Sequence, residues 1–308
     1  STVDSIFAAR VTDAGALLDA GGFRVSDNAF DETAPAAAFD GTNFLVAWYG
    51  GASSGAEKTR AARVSGDGET LDDELFPSGA LGYEDQAAPD VAYGDGVYLV
   101  VFADERNWNA GQARDVFGVR VDTTGAILDP SGIEIAAAAG HQEHPAVAFD
   151  GESFLVVWDD TRDSAYDRIY GARVGADGDV LDPAGIAIAT SGYDQLTYPD
   201  VAFDGSVYLV VWDNDNTHIY GRLVSTEGDP LGSNYLSICG AANNQRYPRA
   251  ASNGEGFLVV WEDGRLSQYS YDIFGARVSS LYGLLDEDGI AIASLMGLQQ
   301  RPAVASDG

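Results

Sequence analysis

Two aspartates, Asp90 and Asp200, stand directly after a proline in otherwise apolar runs, Pro89-Asp90-Val91-Ala92 and Pro199-Asp200-Val201-Ala202. The comparable runs elsewhere in the chain carry no acid at that point. Cleavage of a glycosidic bond needs two carboxyl groups several ångströms apart, one to give a proton and one to attack or to activate water. Asp90 and Asp200 are therefore the candidate catalytic pair if the chain is an enzyme. A second chemistry belongs to the aromatic residues of the polar connecting segments: Trp108, Tyr166, Tyr193, Tyr198, Tyr247, Tyr269 and Tyr271, with His141, His144 and Arg246 among them. Sugar rings stack on aromatic faces and offer hydroxyls to carboxylates and amides, so these are the candidate ligand-binding residues. Ordinary loop packing is the competing account.

Metal chemistry has weaker signals. His141-Gln142-Glu143-His144 holds two histidines three apart, but no helical pattern surrounds them to present both on one face. Asp213-Asn214-Asp215-Asn216 and Asp286-Glu287-Asp288-Gly289 are rich in oxygen donors, though neither is a full calcium loop. Asp213, Asp215, Asp286 and Asp288 are the candidate ligands, and Ca2+ is the only cofactor the sequence suggests; none is required.

Other polar residues recur too regularly to mark one site. Asp104 with Arg106, Asp160 with Arg162 and Asp263 with Arg265 follow an aromatic residue in a shared Trp-x-Asp-x-Arg pattern, with Phe102 replacing Trp in the first. A carboxylate and a guanidinium at that spacing form a bidentate pair that fixes a loop, so these six are expected to be structural. Arg10, Arg63, Arg120, Arg173 and Arg277 recur in a later run and are expected to lay their stems on neighbouring sheet. Glu32, Gln86, Gln142, Gln245 and Gln299 lie three residues before a proline, Gln195 four before. They would ring a channel mouth or, more simply, satisfy local backbone groups.

All these residues hang on one repeat. An apolar strand pattern ends at Trp48, Phe102, Trp158, Trp212 and Trp261, a spacing of about 53 residues. Before it comes a small-residue run closed by Asp-Gly or a similar turn, as in Val147-Ala148-Phe149-Asp150-Gly151, a strong hairpin signal. A third run follows (Ile169 to Val174 is typical), then a Leu-Asp-Pro-x-Gly loop and a short fourth run such as Ile186 to Ala189. Helical periodicity is absent. Four short strands per unit of this length describe a β-propeller blade, which buries its faces only against its own copies.

The expected fold is thus all-β: a six-bladed β-propeller of four-stranded blades, one domain over residues 1–308. Blades cover about 34–78, 88–137, 144–190, 198–239 and 247–295, and a last blade joins residues 1–27 to 302–308 but lacks its second strand. Either that strand lies outside this sequence or another chain donates it.

The repeat Pro-x-Val-Ala-Phe-Asp-Gly, Phe-Leu-Val-Val-Trp-x-Asp-x-Arg, Asp-Ile-Tyr-Gly-Ala-Arg-Val, Leu-Asp-Pro-x-Gly-Ile resembles tandem propeller-type repeats of bacterial secreted and cell-surface proteins. The resemblance implies the fold and an extracellular or cell-surface setting, and no activity. Two units depart from it, at Trp48-Tyr49-Gly50-Gly51-Ala52 and at Trp212-Asp213-Asn214-Asp215-Asn216.

Composition narrows the partners. With 48 acidic against 17 basic side chains the formal net charge is −31, which repels nucleic acid and anionic lipid. No apolar run is long enough to span a membrane, and no leader pattern opens the chain. The single cysteine, Cys239, excludes an intramolecular disulfide. Regular repetition without a singular catalytic cluster points to a non-catalytic binding or adhesion module, its partner a glycan or a surface protein on the long-loop face. A glycoside hydrolase or lyase with carboxylates at the channel mouth is the alternative. A third reading is a structural subunit of an extracellular polymer assembled by strand donation, so the chain is expected as a monomer or a strand-exchanged oligomer.

Overall fold

The computed structural model describes residues 4–12, 14–27, 31–51, 57–72, 75, 86–107, 114–162, 166–190, 195–266, 270–281 and 283–306. Among them there is no helix, and so none that is long and apolar enough to cross a membrane. Strands β1 (Phe7–Ala8) and β2 (Phe23–Arg24) form a two-stranded sheet. Blade 1 holds β3 (Glu32–Phe39), β4 (Asn43–Gly51) and β5 (Glu57–Ser65). Blade 2 holds β6 (Gln86–Gly94), β7 (Val97–Asp104), β8 (Asp115–Asp122) and β9 (Ile133–Ala136). Blade 3 holds β10 (Gln142–Phe149), β11 (Ser153–Asp160), β12 (Arg168–Gly175) and β13 (Ile186–Ala189). Blade 4 holds β14 (Leu196–Phe203), β15 (Tyr208–Asn214), β16 (His218–Val224) and β17 (Leu236–Cys239). Blade 5 holds β18 (Gln245–Ser252), β19 (Phe257–Asp263) and β20 (Asp272–Ser279), with β21 (Gly283–Leu284) and β22 (Ile290–Ala293) both paired to β20.

The fold is a β-propeller with five blades among the described residues, which corrects the expectation of six four-stranded blades. β1 and β2 occupy the third and fourth strand positions of a further unit, while residues 301–306 enter no strand. With no second strand to bridge them, no sixth blade is completed among the described residues.

Each hairpin is set by its turn. Gly41, Gly151 and Gly205 take φ of 94, 105 and 92°, where a side chain would be strained. The preceding aspartate caps the turn: Asp150 Oδ1 accepts the N–H groups of Glu152 and Ser153, each at 2.7 Å. Second strands are buried on both faces because neighbouring blades cover them. Leu99 and Val101 of β7 pack with Phe154, Val156 and Trp158 of β11 in one continuous core.

The repeated polar residues fasten this stack. Arg63, Arg120 and Arg173 form bidentate pairs with Asp72, Asp129 and Asp182. Each then reaches the next blade through Nη1, to the carbonyls of Thr123, Ala176 and Thr226. Arg10, paired to Asp19, reaches Gly66 O and so fastens the β1–β2 sheet to blade 1.

The aspartates and arginines of the Trp-x-Asp-x-Arg pattern pair within their own blades. Arg106 pairs with Asp104 at 2.8 Å, Arg162 with Asp160 at 2.7 Å and Arg265 with Asp263 at 2.7 Å. Each guanidinium lies over an aromatic ring of the third strand: Arg106 over Phe117, Arg162 over Tyr170 and Arg265 over Phe274. Each also donates to a carbonyl of the loop before the fourth strand, Arg106 to Ser131 O, Arg162 to Ala184 O and Arg265 to Asp288 O. Asp160 and Asp263 accept the buried indole N–H of Trp158 and Trp261, both at 2.7 Å. In blade 2 Phe102 has no indole, so Asp104 departs from its two counterparts in that respect while still holding Arg106. Blade 1 has Gly50 at that point, and Glu32 fills the space from the adjacent strand to accept Trp48 Nε1 at 2.9 Å. Cys239 is a buried thiol beside Arg265.

Candidate functional site

The first strands of successive blades pack side by side, β3 with β6, β6 with β10, β10 with β14 and β14 with β18, and so line the propeller axis. Each described register is broken by a bulge around its proline, between Glu143 and Ala146 in β10 and between Thr197 and Asp200 in β14. The residue before the proline takes positive φ: Ala34 50°, His144 48°, Tyr198 52°, Tyr247 53° and Arg301 54°. Such a conformation is uncommon outside glycine. Here it recurs blade after blade, and at Tyr198, Tyr247 and Arg301 the N–H is turned toward the preceding blade.

The residue after the proline forms one layer. Asp90 and Asp200 belong to it, with Ala36, Ala146 and Arg249 from blades 1, 3 and 5. Asp90 Oδ2 accepts the N–H of Val147 at 2.9 Å and Asp200 Oδ2 that of Ala250 at 2.7 Å, each from the next blade. Arg249 Nη1 lies 3.9 Å from Asp200 Oδ1, and its charge acts on Asp90 as well. Burial pushes Asp200 up to about 6, against the pull of Arg249, and the Asp90 charge adds to the rise. Burial raises Asp90 too, opposed by the Val147 N–H and by Arg249. The Asp90 charge thus acts on Asp200, and the Arg249 charge acts on both.

A second layer lies at the start of the first strands and the end of the second. Asp159, Asp213 and Glu262 are buried there and accept the inward N–H groups of Tyr198 (3.2 Å), Tyr247 (3.2 Å) and Arg301 (2.7 Å). Blades 1 and 2 carry Tyr49 and Ala103 instead. Above the acids runs a stacked row: His144 against Tyr198 (4.2 Å between ring centres), Tyr198 against Tyr247 (4.6 Å), then Arg246 over Tyr247 (5.0 Å) and over Tyr271 (4.0 Å). Arg246 is held by Glu262 at 2.9 Å. Burial raises Asp159, despite the His144 imidazole at 2.8 Å. For His144, burial disfavours the charged ring, but Asp159 outweighs it and holds the imidazole above its ordinary value. Burial pushes Asp167 and Asp213 up to about 6; neighbouring acids add to the rise in Asp167, while bonds from Tyr247, Thr197 and Asn216 restrain Asp213.

Three of the aromatic residues singled out in the sequence, Tyr198, Tyr247 and Tyr271, therefore meet in one row. Tyr166 stands apart, exposed, with Arg168 5.7 Å from its ring centre. Trp108, Tyr193 and Tyr269 lie outside the described residues. Three of the glutamines serve local backbone groups: Gln142 and Gln245 are buried and donate to Ala139 O and Ala242 O, and Gln195 accepts from Asp167 N. Asp159, Glu262 and Arg249 were not picked out by sequence. The available signal was the variable residue of Trp-x-Asp, which reads Tyr, Ala, Asp, Asp, Glu around the ring.

Glu143, His144 and Asp159 bring three potential metal-ligating atoms within 4.8 Å of one another. Their donors are committed elsewhere. Arg114 bridges Glu143 (2.9 Å) to Glu105 (2.8 Å), and Asp159 Oδ2 holds both His144 and Tyr198 N. An ion would have to displace a guanidinium, so the group fits a hydrogen-bond network better than a cation cradle. At the two calcium candidates, Asp286 is clasped by Arg277 at 2.9 Å, while Asp213 spends both oxygens on protein donors. Asp215 sits in the adjoining turn with φ of 55°, and Asp288 offers its carbonyl to Arg265.

No family model matches the chain, and no curated protein matches it. Solved structures share the fold. The GH43_1 enzyme from Xanthomonas citri superposes with a TM-score of 0.51 at 13% identity, covering 84% of this chain and 92% of that one. A thermostable family-43 glycoside hydrolase gives 0.50 at 11% identity, over 90% and 98%. The Trypanosoma rangeli sialidase gives 0.51 at 11% identity, over 95% of this chain and 52% of its own. At these identities the likeness establishes the β-propeller alone. These neighbours are nevertheless enzymes of sugar chemistry, and the axis of this chain holds a singular acid pair that the repeat does not explain. The reading as a non-catalytic binding or adhesion module is therefore corrected: repetition in the outer strands concealed a departure from it at the inner ones.

Proposed function

We propose that this chain is a glycoside hydrolase whose acid–base pair is Asp90 and Asp200, acting on a glycan bound at the axial mouth. The observation that carries the proposal is the pairing of two inner-strand carboxyls from blades 2 and 4 under one arginine, with Asp200 pushed up to about 6. Two carboxyls that resist ionising together divide the roles between them. The Asp90 charge contributes to the rise in Asp200, so Asp90 ionises first and serves as the nucleophile or as the base that activates water. Asp200 keeps its proton longer and gives it to the leaving oxygen. The pair titrates as a unit, and the working form carries one proton.

The row from His144 to Tyr271 supplies faces for sugar rings, and the acids beneath it hold that row in place. The Xanthomonas citri enzyme has been crystallised with xylose, which makes pentose polymers the first substrates to try. An extracellular site of action follows if the substrate is a polysaccharide. The test is release of reducing sugar from a panel of xylan, arabinan, galactan and sialylated glycans. Hydrolysis of at least one, abolished in Asp200→Asn with folding intact, is the expected result. No hydrolysis of any, with a folded protein, rejects the proposal.

A further inference from the structure

Arg249 occupies the axial layer at the position held by Asp90 and Asp200 in blades 2 and 4 and by alanine in blades 1 and 3. Arginines of the outer strands are committed to protein acceptors. Arg120 clasps Asp129 and reaches Ala176 O, and Arg162 clasps Asp160. Arg222, without a carboxylate partner, donates to Ile188 O and Gly232 O. Arg249 differs. Among the described residues its guanidinium donates no hydrogen bond, its ion contact with Asp200 is 3.9 Å long, and its side chain is 49% exposed. The open side faces the axis, because the Arg249 charge acts on Asp90 in blade 2 as well as on Asp200 in blade 4. Ala36 and Ala146, from the remaining blades of the layer, bring no polar side chain to meet it. A planar fork of five N–H donors is thus left open in the layer that holds the acid pair.

The charge of the layer selects what meets those donors. With one proton held on Asp200, the layer contains one negative charge on Asp90 and one positive charge on Arg249, and is neutral. An uncharged sugar keeps it so. A sugar with a carboxylate adds a negative charge that nothing in the layer offsets. It does so close to the buried acids Asp159, Asp213 and Glu262, in a chain of formal net charge −31. Adjacent hydroxyls on a sugar ring are neutral acceptors that two parallel N–H groups of one guanidinium reach together.

We propose that Arg249 is a specificity-determining residue of the axial site, donating from its guanidinium fork to two neighbouring hydroxyls of an uncharged sugar and leaving carboxylated sugars unbound. The proposal rests on the reading of Asp90 and Asp200 as the acid–base pair, since it takes their one-proton form as the state that receives the glycan.

The test is binding, measured by titration calorimetry on Asp200→Asn, whose amide keeps position 200 uncharged. Xylotetraose, arabinotetraose and galactotetraose are the neutral probes; tetragalacturonate and 3′-sialyllactose are the acidic ones. At least one neutral probe is expected to bind and neither acidic one. Adding Arg249→Met should weaken that binding by about tenfold or more. Arg249→Lys separates the fork from the charge: it keeps the charge, lacks the fork, and should lose about as much. A second measurement leaves Arg249 in place. Phenylglyoxal, read by mass spectrometry, should label Arg249 ahead of Arg120 and Arg162, and the bound probe should slow that labelling. Absence of binding, tighter binding of an acidic probe, unchanged affinity in Arg249→Met, full affinity in Arg249→Lys, or labelling that the probe does not slow overturns the proposal. Hydrolysis by the chain with Asp200 intact is scored separately. Cleavage of a neutral glycan with the same KM in Arg249→Met keeps the acid–base reading and rejects this contact, whereas Arg249-dependent binding without cleavage keeps the contact and rejects the acid–base reading.

Discussion

Blades 2 and 3 are nearly interchangeable at their outer strands and differ at their inner ones. Both fasten a loop with the same aspartate–arginine pair, Asp104 with Arg106 in one and Asp160 with Arg162 in the other. Both clip the following blade with an arginine from the third strand. At the mouth, blade 3 has Glu143, His144 and Asp159 where blade 2 has Ala87, Ala88 and Ala103. The difference separates two kinds of constraint. A residue repeated in several blades answers to packing, which is the same everywhere around the ring. A residue present on one side of the ring answers to something that the ring meets on that side. The polar positions of blades 3, 4 and 5, together with Asp90 facing them from blade 2, are of the second kind.

The sharpest way to break this comparison is to replace one residue of each kind. Asp200→Asn removes one carboxyl of the proposed pair and is expected to lower hydrolysis by about 10³-fold or more. Its Tm at pH 7 should be unchanged or slightly higher, because the amide still accepts Ala250 N–H and no longer buries a charge. Asp160→Ala is the mirror case. It strands the buried Trp158 indole and the Arg162 guanidinium together, at a cost of about 3 kcal/mol in stability, read by urea denaturation. Activity per folded molecule should stay within about twofold, since Asp160 touches nothing at the mouth. If Asp200→Asn unfolds the protein, or Asp160→Ala is harmless to folding, the division into two kinds fails. A smaller effect tests the aromatic row. Tyr247→Ala takes a ring from between Tyr198 and Arg246 and should raise KM about tenfold with little change in kcat, a loss of about 1.4 kcal/mol in binding. A fall in kcat with KM unchanged would move the row from binding to positioning.

Much of the outer architecture could be read from the sequence because its causes are local. Asp150 caps its own turn two and three residues on, Arg106 meets Asp104 two residues back, and Arg173 meets Asp182 nine residues away. The same pairing explains one exception: blade 4 has Leu223 and Gly232 at the two positions, so both partners are missing together and Arg222 donates to Leu231 O and Gly232 O instead. The mouth was harder because its contacts cross blades. Asp159 serves Tyr198 N, 39 residues on, and Arg301 N reaches back the same distance to Glu262. Nothing local distinguishes such an acid from a solvated one. Asp90 and Asp200 could be singled out because they break a repeat, whereas Arg249 breaks it at the same position with the opposite charge and was not. The expected sixth blade fell short for a related reason: matching end segments identify strand positions, but a sheet needs the strand between them.

The smallest effect concerns stability and pH, and its sign is the opposite of the usual one for aspartate. Asp200 has a folded value of about 6 against an ordinary 3.8. Between those values the folded chain binds a proton that the unfolded chain has released, so stability rises as pH falls from 7 to 5. The part due to Asp200 alone is about 1 kcal/mol over that interval, because the group is nearly buried and little screened. Asp19 and Asp286 work the other way. Their guanidinium partners Arg10 and Arg277 hold them at about 2, so what they add is present above pH 4 and is lost only below it, outside the interval. Wild type should therefore be more stable at pH 5 than at pH 7, and Asp200→Asn should show about 1 kcal/mol less of that gain, or 2–4 °C in Tm. Equal gains in the two proteins would mean that Asp200 is ionised in the fold throughout, which would remove the shared proton on which its catalytic assignment with Asp90 depends.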